Sequence, residues 1–298
     1  MFPTPFSSAL RTAAWFASVA APFALSADSV TLRPVADTRL SEQFLDSNFG
    51  NATDIIIGTQ GPTAGTPKNR GLMKFDLIGP IPPHSEITAV ALTLTVTKVP
   101  LGGVDSIFEL RRVLQAWNES EATWKNRSGI TAPWSSPGGA APTDFSSAPS
   151  AAIVINELGS YTFDSTTNLI ADVQTWADNS SANFGWIAMT QLEDVGKTAR
   201  HFASREGGAS VPTLVVQFVP PPVIAGASRQ DTNLTFHFTV EAGYNYAVEY
   251  ADTLPSTNWL VLTNFGAKVA GFEAGVTNSI LTSPNRFFRL SRAPCNCR

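Results

Sequence analysis

Hydrophobic and polar residues alternate along many short stretches of this chain. In the clearest stretch, VALTLTVT from Val90 to Thr97, an aliphatic residue occupies every second position. A period of two residues is typical of a strand with one buried face. Clusters of Pro, Gly, Asn and Ser separate these stretches and indicate turns. The same reasoning predicts further strands at residues 54–58, 73–77, 106–113, 151–155, 185–190, 199–204 and 213–218.

One short helix is predicted at residues 168–177, because Leu169, Val173 and Trp176 recur at helical spacing. Trp176 is therefore expected to be buried. The same is expected of Trp117 and Trp124, which bound the motif WNESEATW beside apolar neighbours. The pattern as a whole predicts an all-β chain with a jelly-roll-like β-sandwich as its main domain.

A second β-rich unit is predicted after the sequence VPPPV at residues 219–223. Three consecutive prolines cannot join a central ladder and favour an extended spacer. The alternation resumes at Leu234 and continues to Leu290, a length that suits a small immunoglobulin- or fibronectin-like β-sandwich. The predicted boundaries are 28–219 for the first domain, 220–223 for the linker, 224–291 for the second domain and 292–298 for a tail.

The first 27 residues have the layout of a secretory signal peptide. Arg11 is the single charge, an apolar stretch follows from Thr12 to Leu25, and small residues then offer cleavage after Ser26 or Ala27. The stretch is shorter than the roughly 20 residues that a membrane span needs, which favours export over anchoring. The sequence therefore predicts a secreted or cell-surface protein without a transmembrane segment.

The amino-acid composition argues against several classes of function. Twenty basic against 24 acidic residues give a net charge of −4, so nothing predicts a general attraction for nucleic acid. Two cysteines exclude a disulfide framework, and three histidines leave little material for a histidine-rich metal centre. The sequence contains no GxSxG, Walker or HExxH motif.

Two groups of residues are candidates for catalysis. His201 and Arg205 in HFASRE could serve a polysaccharide lyase as base and as carboxylate-neutralising cation. The alternation of that segment is also explained by an edge or rim strand, which we favour. Glu119 and Glu121 could serve glycoside hydrolysis, but the sequence does not give the distance between them.

A structural calcium ion is the one cofactor that the sequence suggests. Asp37, Glu42 and Asn48, near further acidic residues, offer the hard oxygen ligands that Ca²⁺ prefers. Their spacing is not that of an EF-hand loop. The alternative is a solvated acidic loop whose side chains cap turns.

The first unit contains an ordered series of motifs: DTRLSE, NFG, IIIG, RGLMKFDL, WNESEATW, NFGW, FASRE and PTLVV. This series resembles the DNRLRE-domain family, also described as carbohydrate-binding module family 96. The resemblance covers roughly residues 29–219, and each motif is weak alone whereas the series is specific. It implies a secreted, non-catalytic β-sandwich that binds acidic polysaccharide of the alginate type; the alternatives are a uronate-polymer lyase and a structural surface spacer.

A basic and aromatic binding surface is predicted for such a polymer. Lys74 alternates with the core positions beside it and should project from the sheet. Three further candidates lie in the loop KNRSGITAPWSSPGG, where Pro and Gly predict an exposed path. Arg and Lys bind carboxylates, and an exposed tryptophan offers a flat platform to a sugar ring. The alternative is ordinary solubilising charges beside a tryptophan packed on its own domain. The candidate ligand-binding residues are Lys74, Lys125, Arg127, Trp134 and Arg205.

Overall fold

A computed structural model describes residues 27–61, 67–279 and 285–295. The predicted signal segment therefore lies outside the described residues, apart from Ala27. The chain divides into two compact units, one from Ala27 to Pro221 and one from Pro222 onward. Independent folding of these units stays a prediction. In the described part of the chain, no helix is both long and apolar enough to cross a membrane.

The described residues of the first unit form thirteen strands and one α-helix. The helix, α1, spans Thr167–Asp178, and the side chain of Thr166 caps it by accepting from the backbone N–H of Leu169. The strands are β1 (Asp28–Leu32), β2 (Pro34–Ser41), β3 (Asp54–Thr59), β4 (Lys68–Phe75), β5 (Glu86–Lys98), β6 (Ser106–Arg112), β7 (Asn126–Ser128), β8 (Ala132–Pro133), β9 (Ala151–Ile155), β10 (Gly159–Phe163), β11 (Trp186–Thr190), β12 (Arg200–Ala203) and β13 (Thr213–Val219).

Eleven of these strands form one continuous antiparallel sheet that folds into a sandwich. Its first layer contains β1, β13, β5, β10 and β12, and its second contains β2, β4, β11, β6 and β9. Strand β3 joins the layers, because it pairs with β12 at one end and with β4 at the other. The fold class is all-β, as the alternation predicted.

The main core lies between the two layers and includes one face of α1. The inward positions of β5, which are Val90, Leu92, Leu94 and Val96, are all buried there. They share this core with Trp176 of α1 and Trp186 of β11, whose ring centroids lie 4.5 Å apart. Buried apolar area of this kind is the dominant favourable term in folding.

A second core covers the opposite face of the second layer. Leu72 on β4 and Ile187 on β11 point away from the main core and pack against Trp124, Trp134 and other apolar side chains of the long connection after β6. The second layer is thus buried on both faces. The loop KNRSGITAPWSSPGG, predicted to be exposed, belongs to this connection and contributes Trp134 to the hydrophobic interior.

The described residues of the second unit form two three-stranded antiparallel sheets, with the orders β14-β15-β18 and β17-β16-β19. The predicted alternation from Leu234 to Val240 corresponds to β15, where Phe236, Phe238 and Val240 are buried. The immunoglobulin or fibronectin type of this unit stays a prediction. Its strands are β14 (Ala225–Gln230), β15 (Asn233–Val240), β16 (Tyr244–Ala251), β17 (Leu260–Phe265), β18 (Phe272–Ser279) and β19 (Phe287–Pro294).

Strand pairing changes two local interpretations of the sequence. Asp37 itself lies in β2 (residues 34–41), which pairs with β4, whereas Glu42 and Asn48 lie in the loop that follows β2. The segment containing His201 is not an edge strand, since β12 pairs with β3 on one side and β5 on the other. In both cases the pairing partner lies far away in sequence, so the local pattern carried no information about it.

Candidate functional site

Three of the sequence motifs meet around the side chain of Asp37 in β2. Its carboxylate Oδ2 accepts the backbone N–H of Arg205 at 2.7 Å, and its own N–H donates to Glu119 Oε1 at 2.7 Å. The Arg205 guanidinium lies 2.9 Å from Glu119 Oε1 and 2.7 Å from Glu206 Oε1. The motifs DTRLSE, WNESEATW and FASRE are therefore joined by hydrogen bonds and ion pairs into one cluster, which we call the Asp37 cluster.

The NFG motif joins this cluster through Asn48. Its amide nitrogen donates to the carbonyl oxygens of Glu119 and Ala122, at 2.7 and 2.8 Å, and its Oδ1 accepts the N–H of Gly50. Gly50 itself lies so close to Glu119 that a Cβ there would be 2.5 Å from the Glu119 carbonyl oxygen. The motif thus ties the loop after β2 to the segment around Glu119.

The Asp37 cluster contains three carboxylates and one guanidinium, which contacts Glu119 and Glu206. Burial raises the pKa of Asp37 to about 7; the hydrogen bond from Arg205 lowers it, and the charges of Glu206 and Glu119 raise it further. A carboxyl group in such a position changes its protonation state near neutral pH.

The geometry does not assemble the predicted calcium ligands. Asn48 directs its amide nitrogen, a donor, at two carbonyls, and Glu42 Oε2 accepts the backbone N–H of Lys68 at 2.9 Å. The Asp37 carboxylate is committed to Arg205. Among the residues that the structure describes, no group of three or more His, Cys, Asp or Glu side chains could hold a metal ion. Asp37, Glu42 and Asn48 instead hold backbone segments together.

Lys125 and Arg127 lie close together on the surface, near strand β7. The Lys125 ammonium is 2.7 Å from Asp46 Oδ2, and the Arg127 guanidinium donates to the carbonyl oxygen of Ala116 at 2.8 Å. Both groups are at the protein surface, but each already has a partner within the chain. Arg205 likewise is held between Glu119 and Glu206.

Trp134 does not form the predicted exposed platform. Its side chain is only 4% exposed in the second core, and its Nε1–H donates to the carbonyl oxygen of Thr123 at 3.0 Å. The expectation of exposure is wrong because the proline- and glycine-rich connection folds back over the second layer of the sandwich. Its flat ring face is consequently used for packing.

Lys74 is separated from the other predicted residues. It lies on β4 opposite Ala36 and lines a cavity of about 190 Å³ together with Asp76, Ile78 and Trp176. The structure therefore brings Lys125, Arg127 and Trp134 into one region, links Arg205 to the nearby Glu119, and leaves Lys74 elsewhere.

An open depression on the first unit contains residues that sequence reasoning did not group together. It has a larger part of about 520 Å³ and an adjoining smaller part of about 200 Å³, and both are lined by Lys98 and His201. The larger part is also lined by Thr53, Asp54, Thr97, Ala203, Glu206, Gly207 and Gly208. The smaller part is also lined by Gln60, Gly61, Val99, Pro100, Lys197 and Ala199. We call the two parts together the His201 depression.

Strand pairing explains why Lys98 and His201 meet. His201 of β12 lies opposite Lys98 of β5, and a register shift after His201 places Phe202 opposite Val96 in the core. Such irregularities in a ladder re-aim side chains. Because a carboxylate can only accept, the His201 Nδ1 that contacts Asp54 Oδ2 carries a hydrogen, and Nε2 is the ring nitrogen left for other contacts.

No sequence signal distinguished Lys98 or Lys197 from other surface lysines. Lys98 ends the strongest alternating stretch, and Lys197 has a backbone φ of 63°, which is unusual for a residue other than glycine. Only the pairing of β5 with β12 brings these positions to one depression.

Residues 28–137 match the family model of carbohydrate-binding module family 96. The matched segment runs from β1 through β8 and contains Asp37, Lys98 and Glu119, whereas His201 and Arg205 lie beyond it. None of the curated proteins compared with the chain matches it. The ordered motifs thus predicted the relationship correctly over this segment, and residues 28–137 are a carbohydrate-binding module family 96-like part of the protein.

Proposed function

We propose that this protein is a secreted, non-catalytic carbohydrate-binding or adhesion protein for an acidic, alginate-like polysaccharide. The observation that carries carbohydrate binding is the family match over residues 28–137. That segment supplies most strands of the sandwich and several of its surface cations. Export rests on the signal-like layout of residues 1–27.

Unpaired surface cations support the preference for an acidic polymer. Among the described residues, neither the Lys98 nor the Lys197 ammonium has an ion-pair or hydrogen-bond partner. A polyuronate carries one carboxylate per sugar, and a lysine binds such a group as a compact charge with three donors. These two lysines are available to a ligand without breaking a contact within the protein.

The proposal is tested by comparing polymers that differ in charge. Purified protein is titrated calorimetrically with an alginate-type polyuronate and with an uncharged glucan of similar length. We expect measurable binding to the polyuronate alone, and weaker binding as the salt concentration rises, because exposed charges are screened. Equal binding to both polymers, or none to the polyuronate, would contradict the proposal. A broader glycan array also separates it from a purely structural spacer.

A polysaccharide lyase is the second candidate, favoured by the contact of His201 with Asp54 in an open depression. The Arg205 guanidinium that such an enzyme would use to neutralise a uronate is instead held by Glu119 and Glu206. We therefore expect no unsaturated uronate products when polyuronate is incubated with the protein. If the wild type produces the absorbance of unsaturated uronate products and the His201→Ala variant does not, the protein is a lyase instead.

A further inference from the structure

We propose that the His201 depression is the binding site for the acidic polymer, with a uronate carboxylate in its smaller part and the hydroxyl groups of a neighbouring sugar in its larger part. This assignment rests on the proposed function and deepens it. It places the site away from Lys74, Lys125 and Arg127, to which sequence reasoning assigned binding.

The smaller part of the depression suits an anion. Lys98, Lys197 and His201 line it together with Gln60 and uncharged groups, and no acidic side chain contributes to its wall. Lys98 is exposed and Lys197 is half-buried, so both ammonium groups are accessible to a ligand. Two lysines that share one concave surface without a carboxylate raise the local concentration of an anionic ligand.

The larger part suits a neutral polyol. Its wall contains Asp54 as an acceptor, and Thr53 and Thr97 as hydroxyl groups that both donate and accept. Glu206 also lines it, with Oε1 paired to Arg205 and Oε2 buried. The two carboxylates there would repel a second anion; Asp54 contacts His201, and Glu206 forms an ion pair with Arg205. A sugar hydroxyl can donate to Asp54 without a charge of its own.

His201 lies at the boundary between the two parts. Its Nδ1–H is held by Asp54, which fixes the ring and leaves Nε2 for the ligand. One ligand atom can therefore form a hydrogen bond to this oriented ring through Nε2. Orientation of a binding group by a second residue reduces the entropy lost on binding.

The smaller part is lined by cations without a carboxylate, and the larger part contains two carboxylates. This difference determines which class of ligand can bind. A polymer needs at least one carboxylate and a neighbouring unit with free hydroxyl groups to match both parts of the depression. A polyuronate provides both in every pair of sugars. A sulfated galactan provides an anion of different geometry and serves as the discriminating probe.

The test is a calorimetric titration of the full protein with an alginate-type oligouronate. The double variant Lys98→Ala/Lys197→Ala should raise Kd by about tenfold or more, since charge-assisted hydrogen bonds to the carboxylate are lost. The matched control, Lys125→Ala/Arg127→Ala, removes the same number of charges from the other predicted region and should change Kd by less than about threefold. Circular dichroism and thermal unfolding check that both variants are folded.

The possible outcomes distinguish a wrong assignment of the site from a wrong proposal for the function. If the wild type binds and the Lys98/Lys197 variant binds equally well, or if the control loses as much affinity, the assignment is wrong and the proposed function stands. If the wild type does not bind oligouronate, the proposed function itself fails. If sulfated galactan binds as tightly and is lost in the same variant, the uronate assignment is wrong although the location is right.

Discussion

The backbone N–H of Arg205 donates to the carboxylate of Asp37 at 2.7 Å, across 168 positions of the sequence. This contact fastens the loop after β12 to β2. The next residues of that loop, Glu206 to Gly208, line the His201 depression. Asp37 therefore supports one wall of the proposed binding site without lying in it. The burial of Asp37 should also make the stability of the protein depend on pH.

The first prediction concerns pH. Burial raises the pKa of Asp37 from 3.8 to about 7 in the folded protein. Between these values the folded state binds more protons than the unfolded state, so the free energy of unfolding should fall as pH rises from about 4 to about 7. At roughly 1.4 kcal/mol per pKa unit, the contribution of Asp37 is at most about 4 kcal/mol.

The variant Asp37→Asn stays neutral over this range and should flatten that part of the pH profile. Urea unfolding at several pH values measures the effect, with the exposed Asp76→Asn as a control that should keep the wild-type slope. An Asp37→Asn protein with an unchanged slope would show that Asp37 does not titrate in this range.

The second prediction concerns the tryptophans. Trp124 and Trp176 are buried, as the sequence predicted, whereas Trp117 is only half-buried and donates from Nε1 to the carbonyl oxygen of Phe184. Replacing Trp124 or Trp176 by Ala should lower the free energy of unfolding by about 3–5 kcal/mol. Trp117→Ala should cost less, and a larger loss there would contradict its partial exposure. Denaturant unfolding of the three variants gives the comparison.

The third prediction concerns Gly185 in the NFGW motif. Its φ is +73°, and a Cβ at this position would overlap the carbonyl oxygen of Met73. Gly185→Ala should therefore be strongly destabilising, through strain of about 1–2 kcal/mol and a backbone clash in addition. Gly79 has a φ of +89°, and a Cβ added there would have no atom within 4 Å, so Gly79→Ala measures the strain alone. Equal melting temperatures for the two variants would exclude the clash.

The fourth prediction concerns domain structure. Limited proteolysis should release a fragment that ends near residues 219–224, because an extended proline spacer exposes its backbone. Residues 28–219 expressed alone should give a β-type circular dichroism spectrum and a cooperative thermal transition. An unfolded spectrum for this fragment would place the boundary elsewhere.

The fifth prediction concerns export. Mass spectrometry of the secreted or surface-attached protein should find Ala27 or Asp28 at the amino terminus, since small residues close the apolar stretch there. An intact Met1 in that fraction would contradict the signal-peptide interpretation.

The sequence by itself determined the β class, most strand positions and the helix, because a period of two or 3.6 residues is a local property that burial of one face imposes. The predicted strand at residues 151–155 and the observed β9 have the same bounds. The ordered motifs also indicated the family relationship that the match over residues 28–137 shows. The alternation lies within a few neighbouring residues, whereas the family relationship depends on the order of several motifs.

Only the tertiary structure decided where those motifs meet and which surface stays open. Trp134 looked exposed in its proline-rich loop, yet that loop covers the second layer and buries the ring. Lys98 and His201, about a hundred positions apart, share a depression only because β5 pairs with β12. The physical reason is that strand pairing and the packing of long connections depend on contacts between distant segments, which a local pattern of hydrophobic and polar positions does not record.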